Sequence, residues 1–113
     1  MKNLKEIVLH YLLAALWTEE LDGLSVSIDV PQETNAKALA DVELFVEKAG
    51  ALLDGIPDEM IGHDFWLTRN GHGVGFWDRE EIEEETGKKL TDICSEFKAV
   101  HCFKGEDGKV YFE

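Results

Sequence analysis

The chain has 113 residues, 44% of them hydrophobic, which bounds it to one globular domain with a modest core and excludes a disordered chain. Eleven Lys and Arg stand against 24 Asp and Glu, for a formal net charge of −13. That field repels nucleic-acid phosphates and acidic membrane surfaces and favours basic partners, so duplex nucleic acid is excluded as a partner held by a basic patch.

Residues 2–21 predict a first helix. Leu4, Val8, Tyr11 or Leu12, and Ala15 recur at helical spacing, and Ile7, Leu9, Leu13, Leu16 and Trp17 widen the stripe. A helix apolar nearly all round is buried on more than one side, by the rest of the fold or by a second copy, so the expected state is monomer or homodimer. The run from Ile7 to Trp17, broken only by His10, is too short to cross a bilayer, and no membrane association is expected. No signal-peptide pattern precedes it, so a reducing cytoplasm is the expectation for Cys94 and Cys102.

Leu24, Val26, Ile28 and Val30 alternate with polar residues between Gly23 and Pro31, which predicts a half-buried strand. Pro31 suits the start of a second helix over 32–53, with Leu39, Val42, Val46, Ala49 and Leu53 on one face and Gly50 weakening its last turns. Residues 54–58 end it.

Residues 63–78 hold two of the three Trp and two of the four His. Asn70-Gly71 is a strong signal for a two-residue type I′ turn, so this stretch predicts a hairpin. The register pairs Leu67 with Val74, Phe65 with Phe76 and His63 with Asp78 on one face, with Arg69 and His72 at its turn end. The other face pairs Trp66 with Gly75, Thr68 with Gly73 and Asp64 with Trp77. A third helix is predicted over 90–97, with Leu90, Ile93, Cys94 and Phe97 inward and a start reaching back to Gly87 or into the acidic run. Residues 100–103 and 109–112 form a second hairpin around Gly105-Glu106-Asp107-Gly108. The expected fold class is α+β in a single domain: two N-terminal helices, a third helix and a small antiparallel sheet from two hairpins.

On that hairpin Trp66, Thr68, Arg69, His72 and Trp77 form a candidate ligand or partner site. Trp66 over Gly75 is either packing against another element or a shallow aromatic platform for a base, a sugar or a side chain. His63 with Asp78 has the look of an acid–base pair. The candidate nucleophiles Cys94, Ser95 and Thr68 sit in no nucleophile elbow, so no catalytic residue is assigned. His63, Asp64, His72 and Asp78 lie at opposite ends of the hairpin, beyond shared ligand reach, and no zinc or calcium spacing occurs, so no metal is expected. Gly71-x-Gly73-x-Gly75 has the wrong spacing for a dinucleotide fingerprint, and no cofactor is expected. Asp78, Glu80, Glu81, Glu83, Glu84 and Glu85 are either a solvated helix start or an acidic docking face that imitates DNA phosphates, extended by Asp41, Glu43, Glu47 and Asp54.

The string Gly62-His63-Asp64-Phe65-Trp66-Leu67-Thr68-Arg69-Asn70-Gly71-His72-Gly73-Val74-Gly75-Phe76-Trp77-Asp78-Arg79 resembles a family of small acidic proteins encoded by bacteriophages and prophages, a family defined by occurrence and not by an agreed activity. The likeness extends to Leu90-Thr91, to the terminal segment Gly105-Glu106-Asp107-Gly108-Lys109-Val110-Tyr111 and to Leu16-Trp17 in the first helix. This chain departs from the family pattern in the Glu-rich residues after Arg79 and in residues 97–103, which replace a Gly-containing link. The resemblance implies a phage-type accessory protein in the bacterial host cytoplasm. Joined to the charge, it sets the expectation of a non-enzymatic protein bound to a basic host protein, such as a defence nuclease that it inhibits. The alternatives are a binding module for single-stranded nucleic acid or a small ligand through Trp66, Trp77 and Arg69, and a small hydrolase using His63 and Asp78.

Overall fold

The computed structural model describes residues 2–21, 23–72 and 75–113. Helix α1 spans Leu4–Thr18, with the Asn3 side chain accepting from the Glu6 N–H at its start (3.3 Å). It buries Ile7, Tyr11, Leu12, Ala15 and Leu16, mainly against helix α4 (Asp58–Arg69). Gly62 permits that crossing, because a Cβ there would collide with the Ile7 carbonyl oxygen. Close backbone approach is the use of this glycine.

The alternating segment 24–30 is not a strand. It forms the short helix α2 (Val26–Asp29), and Ile28 stands 72% exposed. Local bonding outweighs the alternation: the Ser25 carbonyl accepts from the Asp29 N–H and the Asp29 carboxylate accepts from the Ser25 N–H, both at 2.7 Å. The second predicted helix is present. Helix α3 covers Gln32–Ala49, and a 3-10 turn continues it through Gly50–Leu53, with Gly50 at φ 50°. Its buried stripe is Thr34, Ala38, Val42, Phe45 and Ala49; Leu39, expected inward, is 39% exposed.

The central hairpin is overturned. Residues 58–69 are helical, with Asp58 and Glu59 in the first turn after Pro57. Asn70-Gly71 closes this helix instead of reversing a strand. Gly71 has φ 72°, the His72 N–H donates to the Leu67 carbonyl (2.9 Å) and the Gly71 N–H to the Thr68 carbonyl (3.2 Å). These bonds make a Schellman cap, which needs the same left-handed glycine as a type I′ turn. The period decides between the two, since Ile61, Phe65 and Trp66 are fully buried at helical spacing. The expected partners Val74 and Gly73 lie outside the described residues. Gly75 precedes a 3-10 turn over Phe76–Asp78, so the strand pairings of Phe65, His63, Trp66 and Asp64 with residues 75–78 do not form.

Helix α5 runs Glu84–Cys94, starting inside the acidic run, where Glu84 and Glu85 suit the positive end of the helix dipole. The C-terminal hairpin forms as expected from β1 (Cys102–Lys104) and β2 (Val110–Phe112), paired antiparallel with Phe103 opposite Tyr111. The Thr34 hydroxyl donates to the Val110 carbonyl (2.8 Å) and ties this sheet to α3. The architecture is α+β: a helical body carrying one two-stranded antiparallel sheet among the described residues. Its centre is aromatic, with Phe45 stacked on Phe65 at 4.2 Å and flanked by Phe76 and Phe97. Among the described residues no helix is long and apolar enough to cross a membrane.

Candidate functional site

Helical winding sends the predicted site residues to different places. Trp66 is fully buried and donates its indole N–H to the Thr18 hydroxyl (2.8 Å). Arg69 is also buried. Its guanidinium donates to Asp41 (2.6 Å), to the Tyr11 hydroxyl (3.0 Å) and through Nε to the Lys98 carbonyl (3.1 Å), and it lies over the Phe65 and Phe97 rings. Burial raises the Tyr11 phenol above its ordinary range despite the Arg69 charge. Thr68 accepts from the Phe76 N–H (3.4 Å), and Gly75 has no room for a Cβ beside it. These three residues therefore hold the fold together and do not form a surface platform. His72 and Trp77 are exposed, Trp77 at 57%.

The pairing of His63 with Asp78 is replaced by another. Asp64, wholly buried, accepts from Arg79 Nε (2.9 Å), from Arg79 Nη2 (2.8 Å) and from His63 Nδ1 (3.1 Å). Burial alone pushes its carboxyl up. The hydrogen bonds from His63 and Arg79 outweigh burial and hold it below the usual carboxylate range, so it is ionised at neutral pH. Asp78 is exposed on its 3-10 turn. The His63 ring stacks on Trp17 with centroids 6.0 Å apart. His63 and Arg79 line a groove of about 330 Å³ with His10, Pro57, Glu59 and Met60. Among the described residues, no three His, Cys, Asp or Glu side chains converge as a metal set.

Helical spacing was the signal for this cluster. It places Asp64 on the buried side beside Phe65, and a buried carboxylate demands a cation. Arg79 is the one cation within residues 78–85.

Burial pushes the thiols of Cys94 and Cys102 up to about 12, and both are free and buried. The Ser95 hydroxyl donates to the Asp92 carbonyl (2.6 Å).

The acidic run is where the sequence puts it. Asp78, Glu80, Glu81, Glu83, Glu84 and Glu85 are all exposed, while Ile82 between them is buried. Glu85 pairs with Lys89 one turn along α5 (3.4 Å). Glu81 and Glu83 share a groove of about 540 Å³ with Asp54, over an apolar floor that includes Ala51, Leu52 and Ile82. Glu43 and Glu47 are exposed on α3, but Asp41 is committed to Arg69. The chain matches no protein-family model, no curated protein and no solved structure.

Proposed function

We propose that this chain is a phage-type accessory protein that acts by binding and not by catalysis. Its acidic segment 78–85, with Trp77 at its head, docks on the basic surface of a host protein. The target is a nucleic-acid-binding protein, such as a defence nuclease, whose phosphate ligand the carboxylates imitate in the host cytoplasm.

The observation that carries this reading is the exposed indole of Trp77 directly before six exposed carboxylates. Its neighbour Phe76 is buried, so the core is served without Trp77. Carboxylates on one partner and cations on the other speed encounter and set salt dependence. An exposed Trp supplies the area and rigidity typical of an interface anchor. The single-stranded nucleic-acid reading loses Trp66 and Arg69 to the core, and the acids beside Trp77 repel phosphates.

The test is capture from a bacterial lysate at low and high salt, with the unaltered chain, Trp77→Ala, and a variant combining Glu80→Lys, Glu81→Lys and Glu84→Lys. A basic nucleic-acid-binding protein should be held at low salt, displaced by DNA, and lost in both variants. Capture unchanged by the charge reversal overturns the proposal.

A further inference from the structure

Folding leaves one apolar face of this acid-rich chain uncovered. A groove of about 680 Å³ runs between α1 and α3, with α2 contributing to its wall. Its apolar lining is Val8 and Leu9, Val26 and Val30, and Ala36 and Leu39. Among the described residues Lys5 is the one charged side chain that lines it. Three more apolar side chains stand out beside it. Ile28, 72% exposed, lies between Val26 and Val30 in the chain. Leu13 and Trp17, 43% and 60% exposed, follow Leu9 at i+4 and i+8 along α1 and share its face. The carboxylates within α1 and α2 are already engaged: Glu6 lies 3.6 Å from His10, and Asp29 accepts from the Ser25 N–H.

We infer that this face is covered by a second copy of the chain in a two-fold dimer, with Ile28 of each protomer seated in the α1–α3 groove of the other. A two-fold contact uses the same surface twice, so each copy must offer both a knob and a hole. Ile28 and the groove supply them side by side. At about 200 Å² for a large apolar residue, the exposed fractions of Leu13, Trp17, Ile28 and Leu39 leave roughly 400 Å² of apolar surface. A standard interface buries about 800 Å² per partner, a little over half of it apolar. With the groove walls added, this face supplies that apolar share. Charge selects the occupant. A basic host protein meets Lys5 in the groove and, among the described residues, no carboxylate. A second copy carries a net charge of −13, and this face is one across which two such chains can meet without opposing carboxylates in the groove. None of the acids of segment 78–85 lines the groove, so this contact and host docking do not depend on each other. Salt separates them. Docking of acids on a basic surface weakens as salt rises, whereas contact between two like-charged chains strengthens as salt screens their repulsion.

The full chain is examined by analytical ultracentrifugation over a range of concentrations, in salt of about 0.05 M and about 0.5 M. The expected result is a monomer–dimer equilibrium in the micromolar range that tightens in the higher salt. Three variants carry the same change of charge. Ile28→Asp alters the knob, Ala36→Glu puts a carboxylate on the groove wall, and Leu44→Glu changes a 44% exposed residue of α3 that does not line the groove. Ile28 and Ala36 are exposed in the protomer, so both variants should keep the circular dichroism of the unaltered chain. Each should weaken the dimer by about tenfold or more, because a carboxylate is then buried against an apolar surface. Leu44→Glu should leave the dimer within about twofold of the unaltered chain. A chain that stays monomeric at about 500 µM in either salt, a dimer that loosens as salt rises, or equal weakening by all three variants overturns the inference.

Discussion

Arg69 on α4 and Asp41 on α3 are joined by a 2.6 Å ion pair whose cation side is buried. The same guanidinium satisfies the Tyr11 hydroxyl and the Lys98 carbonyl, so one side chain ties together α1, α3, α4 and the link to the hairpin. Arg69→Met should cost about 3–5 kcal/mol, the range for breaking a buried pair. Asp41→Asn, at the exposed end, should cost about 1 kcal/mol. Urea denaturation of the two variants checks the ranking, and equal losses would show that the pair does not depend on burial.

Gly62 and Gly71 are required for different reasons, and alanine separates them. Gly62→Ala forces a methyl onto the Ile7 carbonyl and should cost about 2–3 kcal/mol, because neither helix backbone can yield cheaply. Gly71→Ala meets open space but must hold φ 72°, which costs about 1 kcal/mol. Midpoints of thermal unfolding in the opposite order would contradict the α1–α4 crossing.

Asp64 makes the fold acid-sensitive. Its carboxyl is held lower in the folded chain than in the unfolded one, so its stabilisation is complete above the unfolded value of about 4. It is lost as pH falls from there through the folded value. Asp64→Asn should be less stable at pH 7 and should show a flatter dependence of stability on pH below about 4. Parallel curves for the two proteins would show that the Arg79 bridge contributes nothing to acid unfolding.

The buried thiols give the opposite sign. Folding raises Cys94 and Cys102 to about 12, so alkaline pH favours ionisation in the unfolded chain and stability falls as pH rises past about 9. In the native state at neutral pH, a thiol reagent should label both only as fast as the structure opens, and at once in denaturant. Rapid native labelling of either cysteine would place it at the surface.

Helices α1 and α3 and the terminal hairpin were legible because period, Pro31 and the Gly105–Gly108 turn all point the same way. The middle of the chain misled because two signals compete there. Asn70-Gly71 and the glycines at 73 and 75 fit a hairpin, while Pro57, Asp58 and the spacing of Ile61, Phe65 and Trp66 fit a helix. Burial of three large side chains outweighs a turn preference. The hairpin period puts Arg69, and in the platform reading Trp66, on a surface that neither reaches, and it faces His63 with Asp78 in place of its sequence neighbour Asp64; the packing alternative for Trp66 is the one that the burial supports. The exposed acids were legible because charge runs stay in water whatever the local winding. Of the Asp64–Arg79 bridge, helical spacing marks only the buried carboxylate, since its pairing with Arg79 depends on the path taken by the chain between α4 and the 3-10 turn at Phe76.

That bridge also bears on how the acidic segment would meet the partner proposed for it. Arg79 anchors its head inside the protein, Ile82 sinks at its middle, and its tail is wound into the first turn of α5. The carboxylates are thus displayed on a braced ridge rather than a loose tail. Most of the loss of backbone freedom has already occurred on folding, so association can proceed without a disorder-to-order step and with a correspondingly small entropic penalty.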